Sequence, residues 1–418
     1  MKKLALHWKI LIGMALGVLF GAILSFVPSG SEFIKDYIKP FGTIFINLLK
    51  LIAVPLILAS LIKGVSDLKD ISKLSQMGGR TILTYLITTL TAVTIGLILV
   101  NVIQPGKSIS VETRNELVEA YATNTQEKQA AAAKQKEAGP LNALVEIVPS
   151  NIFLAASNNR NMLQVIFFAL FFGIGMILLP AKKIKPVKKF FDSFNAIILK
   201  LIDLIMLAAP YGVFALLAAL VVEAPSLELF QALALYAITL LLGLAAMILV
   251  YIIIVRIFTG KKTDFFMKGI APAQLLAFST SSSAATLPVT MECVEENLGV
   301  DKEVASFVLP IGATINMDGT SVYQGVAAVF IAQAFGLDLS LSAQLGIVFT
   351  ATLASIGTAA VPSAGIVMLV IVLAQAGIPE AGLALIFAID RPLDMCRTIV
   401  NVTGDAAVSM IVGKSIGK

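Results

Sequence analysis

Seven stretches of mainly apolar residues recur along this chain, at about 10–27, 41–62, 82–103, 193–221, 230–258, 304–335 and 380–413. Each is close to or above the roughly 20 residues that a helix needs to cross the hydrocarbon core of a bilayer. Because lipid offers no partner to backbone polar groups, such stretches must satisfy their own hydrogen bonds, which a helix does. The expectation is an all-α membrane protein, and composition agrees: 58% of the 418 residues are hydrophobic, 14% are charged, and mean hydropathy is +0.92, far from the balance of a soluble domain. The first stretch follows Lys2 and Lys3 and could imitate a signal peptide. Leu24, Ser25, Phe26 and Val27 offer no small-residue cleavage site, so it reads as an uncleaved helix.

Charge placement sets the expected orientation. Lys2, Lys3 and Lys9 precede the first stretch; Lys63, Lys69, Lys73 and Arg80 lie between the second and third; Lys182, Lys183, Lys185, Lys188 and Lys189 form a block before 193; Arg256, Lys261, Lys262 and Lys268 follow the 230–258 stretch. All four groups fall on one side, which the positive-inside rule makes cytoplasmic, together with both termini. The excess of bases is juxtamembrane, so it does not suggest a nucleic-acid partner. His7, the one histidine, sits beside Trp8 at the start of the first stretch as an interfacial anchor, and Cys293 and Cys396 have no metal-ligand spacing around them. No organic cofactor is indicated.

Two regions break the pattern. Residues 107–139 are polar and low in complexity, with TNTQEKQAAAAKQK at 123–136, and read as an external loop. Leu141–Leu179 is interrupted by SNIFLAASNNRN at 150–161 and reads as short broken helices.

Beyond residue 264 the apolar segments become rich in hydroxyls, Gly and Pro. Ser279–Thr290 (STSSSAATLPVT) and Ser355–Val367 (SIGTAAVPSAGIV) both read as tips of helix-turn-helix hairpins. Irregular backbone survives at membrane depth only when buried in protein or lining a wet cavity. A segment with a polar centre follows each: Asn316-Met317-Asp318-Gly319-Thr320 and Asn401-Val402-Thr403-Gly404-Asp405, so the order hairpin then broken helix is expected twice. That is how secondary transporters build a central site.

At about 100° per residue, taking Asp394 as zero, Arg397 falls near −60°, Asn401 near −20° and Asp405 near +20° on one helix face. Charges at mid-membrane cost about 2.5–3.5 kcal/mol each on insertion scales, so this face looks into the protein. An internal ion-pair network of Asp390, Arg391, Asp394 and Arg397 is one reading. The other is a solute site, with Arg397 binding a carboxylate bidentately and Asp394 taking an ammonium. Asp318 and Asp405, each near Asn, Thr and Gly, read as hard-oxygen sites for a cation such as sodium.

STSSSAATLP, NMDGT and DMCRTIVNVTGD together resemble the glutamate transporter homologue family of sodium-coupled dicarboxylate and amino-acid symporters, with similarity along the whole chain and strongest beyond 264. The resemblance implies a homotrimer in the cell membrane, each subunit having eight spans and two re-entrant hairpins, and a transport part that moves against a scaffold. It divides the chain into scaffold at 1–80, a transport-part span at 81–105, an external loop with mainly scaffold spans at 106–225, a further transport-part span at 226–263, and the transport core at 264–418.

The same resemblance implies residue roles. Ser283 and the hairpin backbone, with Ser282 beside them, would meet the α-carboxylate of the substrate. Thr320 and Arg397 would meet its side-chain carboxylate, with Met317 nearby. Asp394, Thr398 and Asn401 would serve the amine and main carboxylate, and Val361 and Gly365 would lie in the closing second hairpin. One sodium would use Gly312, Asn316, Asn401 and Asp405; a second Thr314, Ser355, Ile356 and Thr358, mostly through carbonyls; a third Tyr85, Thr88, Thr89, Asn316 and Asp318. Retention of Arg397 and Asp394 implies an acidic substrate that carries an amine. Gln324 stands where animal carriers have a proton-carrying Glu. The second arginine of the family is missing, its two usual positions being Ser281 and Met395, which leaves open potassium counter-transport and whether Arg391 compensates.

The expected function is sodium-coupled symport of aspartate or glutamate. The alternatives are a proton-coupled glutamate or C4-dicarboxylate symporter, an intramembrane aspartyl protease and a channel. Asp405 follows Thr403-Gly404 without the Gly-x-Gly-Asp context of such proteases, so an enzyme is not expected.

Overall fold

In the computed structural model, residues 6–67, 75–120, 148–157, 161–223, 227–358 and 364–417 are described, and every regular element among them is helical. The principal helices are α1 (Leu6–Ser25), α2 (Lys39–Asp67), α3 (Ser75–Ile103), α4 (Met162–Leu178), α5 (Ala181–Leu207), α6 (Ala209–Glu223) and α7 (Leu227–Thr259). They continue with α8 (Thr263–Thr280), α9 (Ser283–Glu292), α10 (Lys302–Ile315), α11 (Asp318–Ala334), α12 (Leu341–Gly357), α13 (Ala364–Gln375) and α14 (Leu383–Ser415). Among the described residues, four segments are long and apolar enough to cross a bilayer in one piece: Gly30–Lys63, Met77–Ser108, Glu228–Thr259 and Ile389–Ser415. The 193–221 stretch, expected as one span, is instead bent by 51° between α5 and α6. Ala208 and Pro210 mark the corner, where the Tyr211 and Gly212 amides both turn back to the Ala208 carbonyl.

Glycine spacing fixes the packing of the first half. Gly13, Gly17 and Gly21 recur every fourth residue, so they line one face of α1. A Cβ on them would lie 2.4, 2.5 and 2.8 Å from the carbonyl oxygens of Pro210, Phe214 and Ala218 on α6. Small residues at this spacing let two backbones touch, which replaces the hydrophobic drive that lipid removes. The outer surfaces of this half are apolar, with Phe26, Leu51, Phe171, Leu178 and Ile257 exposed.

The second half is closed in. All of α11 from Asp318 to Ala334 is buried, as is α13 from Ala364 to Ala374, and a helix covered on every side has no polar face to present. Helices α3, α7, α12, α13 and α14 pack around α11, and α8 and α10 lie along α14. The first hairpin turns as the sequence suggests: Ser281 ends α8 in the left-handed region (φ 51°), and Ser282 is extended and caps α9, its Oγ accepting from the Ala285 amide at 3.2 Å. Helices α12 and α13 likewise pack side by side, while residues 359–363 of the expected second tip, including Val361, lie outside the described residues. So do Lys2, Lys3, Lys69, Lys73 and the 121–139 portion of the polar loop. The expected break in the fourth region separates a short helix, Ile152–Ala156, from α4.

One expectation of backbone shape is overturned. The chain does break at Asn316 and Met317, between α10 and α11, but Asn401–Asp405 sits within an unbroken α14 of 33 residues. Thr398, Thr403 and Ser409 donate to the carbonyls of Asp394, Ile399 and Asp405, four residues back, at 2.9, 2.6 and 2.8 Å, so each polar group is satisfied without opening a turn. Gly404 is there for closeness: a Cβ would stand 2.4 Å from the Tyr251 hydroxyl and 2.6 Å from Asn316 Nδ2.

Candidate functional site

The polar face of α14 carries two clusters, and α11 meets both. In the first, Arg397 is fully buried, and its Nη2 donates to Asp390 Oδ1 at 3.0 Å and Asp394 Oδ1 at 2.9 Å. Arg391 reaches the other oxygen of Asp394, Nη1 to Oδ2 at 3.1 Å. The ion-pair network named as one reading of the sequence is therefore built. It does not use up Arg397, whose Nε and Nη1 are buried without a hydrogen-bond partner among the described residues. Tyr323, one turn beyond Thr320 on α11, lays its ring 3.8 Å from the guanidinium carbon and holds the cation flat. Beside that open edge stands Gly365 of α13, where a Cβ would lie 3.7 Å from Nη1 and 3.0 Å from the Thr320 methyl. Thus Arg397, Asp394, Thr320 and Gly365, all expected at a substrate, do converge.

Asn401 links the clusters. Its Oδ1 accepts from the Gly319 amide at 2.8 Å and its Nδ2 meets Met317 Sδ at 3.4 Å. Asn316 Nδ2 then bonds the Asn401 carbonyl at 3.4 Å and Asp405 Oδ1 at 2.9 Å, while Asn316 Oδ1, fully buried, has no partner among the described residues. Gly312 completes this corner: a Cβ there would lie 2.4 Å from Asp405 Oδ1 and 2.3 Å from the Tyr85 hydroxyl. A third acid, Asp318, is fully buried at the start of α11, and takes Thr89 Oγ1 at 2.6 Å and the Tyr251 hydroxyl. No Lys or Arg pairs with Asp318 or Asp405 among the described residues.

Other predicted residues are more loosely connected. Ser355 lies under the α10–α11 break, donating to the Ile315 carbonyl at 3.2 Å and accepting from the Met317 amide at 3.3 Å. Thr88 and Thr358 donate to backbone carbonyls of their own helices, of Tyr85 and Ala354, and Ile356 lies in α12 beside Ser355. Ser283 is buried at the first position of α9. The Thr314 side chain is exposed and donates to the Ile311 carbonyl at 2.9 Å, so the structure does not bring it to the buried acids. Two site residues escaped the sequence reading, Tyr251 and Tyr323. Tyr251 had a signal, being a hydroxyl set in the middle of the 230–258 apolar stretch. Among the described residues no three His, Cys, Asp or Glu side chains converge on a point. Donors here are instead hydroxyls, amides, carbonyls and single carboxylates, the hard oxygens that alkali cations accept.

Helices broken at buried polar residues, a hairpin tip inside the helical bundle and charges sealed from solvent define an integral membrane protein of the transporter class. Residues 6–415 match the sodium:dicarboxylate symporter family, and the chain belongs to that family. It is 36% identical over 419 residues to a proton/sodium-glutamate symport protein of Geobacillus stearothermophilus, covering 100% of this chain and 96% of the relative. Similarity to a proton/glutamate-aspartate symporter of Escherichia coli (strain K12) is 34% identity over 416 residues, 99% of this chain and 93% of the relative. Human excitatory amino acid transporter 3 shares 37% over 449 residues, 98% and 85% of the two chains. The resemblance carried by the three polar motifs is thus borne out, and the protein is a transporter rather than an enzyme.

Proposed function

We propose that this chain is a symporter of acidic amino acids, aspartate or glutamate, driven by sodium. The observation that carries the reading is the Nη1 of Arg397, a buried cationic donor beside Gly365 without a hydrogen-bond partner among the described residues, on the guanidinium that also holds Asp394. A guanidinium N–H makes a strong, charge-assisted hydrogen bond to a carboxylate oxygen. Leaving such donors buried and unmet costs free energy that a bound carboxylate restores. An ammonium on the same solute would find Asp394. Relatives whose names include glutamate support the choice of solute.

Sodium is the second substrate. Asp405, Asn316 with its unmet Oδ1, Asn401 and Gly312 offer one set of oxygens, and Asp318, Thr88, Thr89 and Tyr85 offer another. Ser355, Ile356, Thr358 and the backbone at Thr314 would make a third. Proton coupling, which the names of bacterial relatives include, is the second reading. Against it stands Gln324, fully buried and without an ionisable group at that point of α11. In this proposal the chain assembles as a homotrimer, with residues 1–80 and most of 106–225 as scaffold. The parts 81–105, 226–263 and 264–418 travel together, each subunit has eight spans and two re-entrant hairpins in all, and both termini are cytoplasmic.

Purified protein in liposomes, supplied with either a sodium or a proton gradient and offered aspartate, glutamate, succinate and alanine, tests the proposal. Uptake of aspartate or glutamate that follows the sodium gradient is expected. Preference for succinate, or uptake that follows only protons, would overturn it.

A further inference from the structure

Arg391 has no part in the proposed chemistry, yet it contacts the one carboxylate meant for the solute's amine. It lies three residues before Asp394 on α14, and its Nη1 donates to Asp394 Oδ2 at 3.1 Å. The opposite oxygen, Oδ1, is held by Arg397 at 2.9 Å. The two guanidinium groups are held differently. Arg397 is fully buried, bound to two aspartates and stacked on Tyr323, so it is fixed. The Arg391 side chain keeps 12% of its surface exposed, its Nε has no partner, and Asp394 is the one acid it pairs with among the described residues.

Four charges thus make the cluster, Asp390, Arg391, Asp394 and Arg397, and they cancel. Without Arg391 the same cluster would carry one negative charge, and of the two solute classes only an amino diacid brings a cation to set against Asp394. With Arg391 in place, a diacid lacking an amine can dock on Arg397 without facing an unbalanced carboxylate.

We infer that Arg391 is a specificity-determining residue, a built-in cation that stands at Asp394 in place of the solute's ammonium and so narrows the preference for amino diacids over plain diacids. The inference rests on the proposed use of Arg397 and Asp394. For a diacid with an amine, Arg391 is a competitor that swings toward solvent or shares the carboxylate. For one without, it is the counter-ion.

The test is the ratio of succinate to aspartate dissociation constants, measured by calorimetry on the purified full chain in saturating sodium, for the unchanged protein and for Arg391→Gln and Arg391→Lys. Glutamine should widen the ratio by about ten- to a hundredfold, the worth of one charge-assisted contact. Lysine keeps the charge and should leave the ratio within about threefold of the unchanged chain, a range below half a decade in binding constant. A purely structural role would weaken both solutes alike, so an unmoved ratio in Arg391→Gln overturns the inference while leaving the proposed function standing. If Arg391→Gln cannot be purified, Arg391→Lys decides: a ratio shifted as far as a lost charge predicts overturns it. An unchanged chain that binds neither solute overturns both the inference and the proposed function.

Discussion

The two ends of the polar face of α14 solve the same problem in opposite ways. Around Asp394 every charge has a countercharge from the protein itself, two acids with two arginines. Around Asp405 and Asp318 there are acids with hydroxyl and amide partners and no Lys or Arg paired to them among the described residues. A buried carboxylate is costly unless its charge is balanced. The first end is balanced before any solute arrives, so a solute enters by exchanging partners. The second is balanced only by something from outside, and a cation surrounded by oxygens is the simplest candidate. On this reading one end selects and the other is driven.

Removing a charge from the self-balanced end should do the most damage. Arg397→Ala leaves Asp390 and Asp394 without their buried partner, which should cost roughly 3–5 kcal/mol of stability. Thermal unfolding in detergent should show a clear drop, and aspartate binding should vanish. Binding that survives would break the comparison, because the open edge of Arg397 would then not be the carboxylate seat.

At the other end, Asp405→Asn should leave folding nearly intact and act on the ion. Titrating sodium against aspartate binding should show the sodium requirement rise by about ten- to a hundredfold, the loss of one charged ligand contact. An unchanged sodium titration would mean that the cation sits elsewhere. Gly312→Ala sharpens the same point without touching a charge, since its methyl would press within 2.4 Å of Asp405 Oδ1 and 2.3 Å of the Tyr85 hydroxyl. A rise in sodium requirement of about tenfold is expected, against an aspartate affinity at saturating sodium that changes by less than about threefold. Smallest of all is Thr314→Ala. The Thr314 hydroxyl is exposed and bonded within its own helix, so the change should lie within about 0.5 kcal/mol by any measure. A larger effect would show that this side chain turns inward during the transport cycle.

Much of this contrast was legible in the residues. Periodicity put Asp394, Arg397, Asn401 and Asp405 on one face, and the structure keeps them there. Serine and proline clusters announced the first hairpin, and Asn316-Met317 announced the break before α11. What sequence could not give was which polar runs interrupt a helix. Asn316 and Asn401 sit in similar letters, yet one ends a helix and the other rides within it, and hydroxyls that donate back to their own helix flank both. Nor could it reveal Tyr323, whose role depends on α11 crossing α14 at Arg397. The outward position of the Thr314 hydroxyl on α10 was not legible either, and it leaves the backbone role expected of that residue untouched. The bend at Ala208 escaped because a corner between two apolar helices leaves little trace in hydropathy.

The contact between Gly319 and α14 has a further consequence. A Cβ at Gly319 would sit 2.2 Å from the carbonyl oxygen of Arg397, so the two helices touch backbone to backbone between the solute end and the cation end. Side chains can reorient, but peptide units in such contact cannot slide without separating. The spacing between the two ends is therefore set by the thickness of the main chain. Under the proposed function, any movement of this unit would carry the solute end and the cation end together at an unaltered separation, as between two seats bolted to one frame.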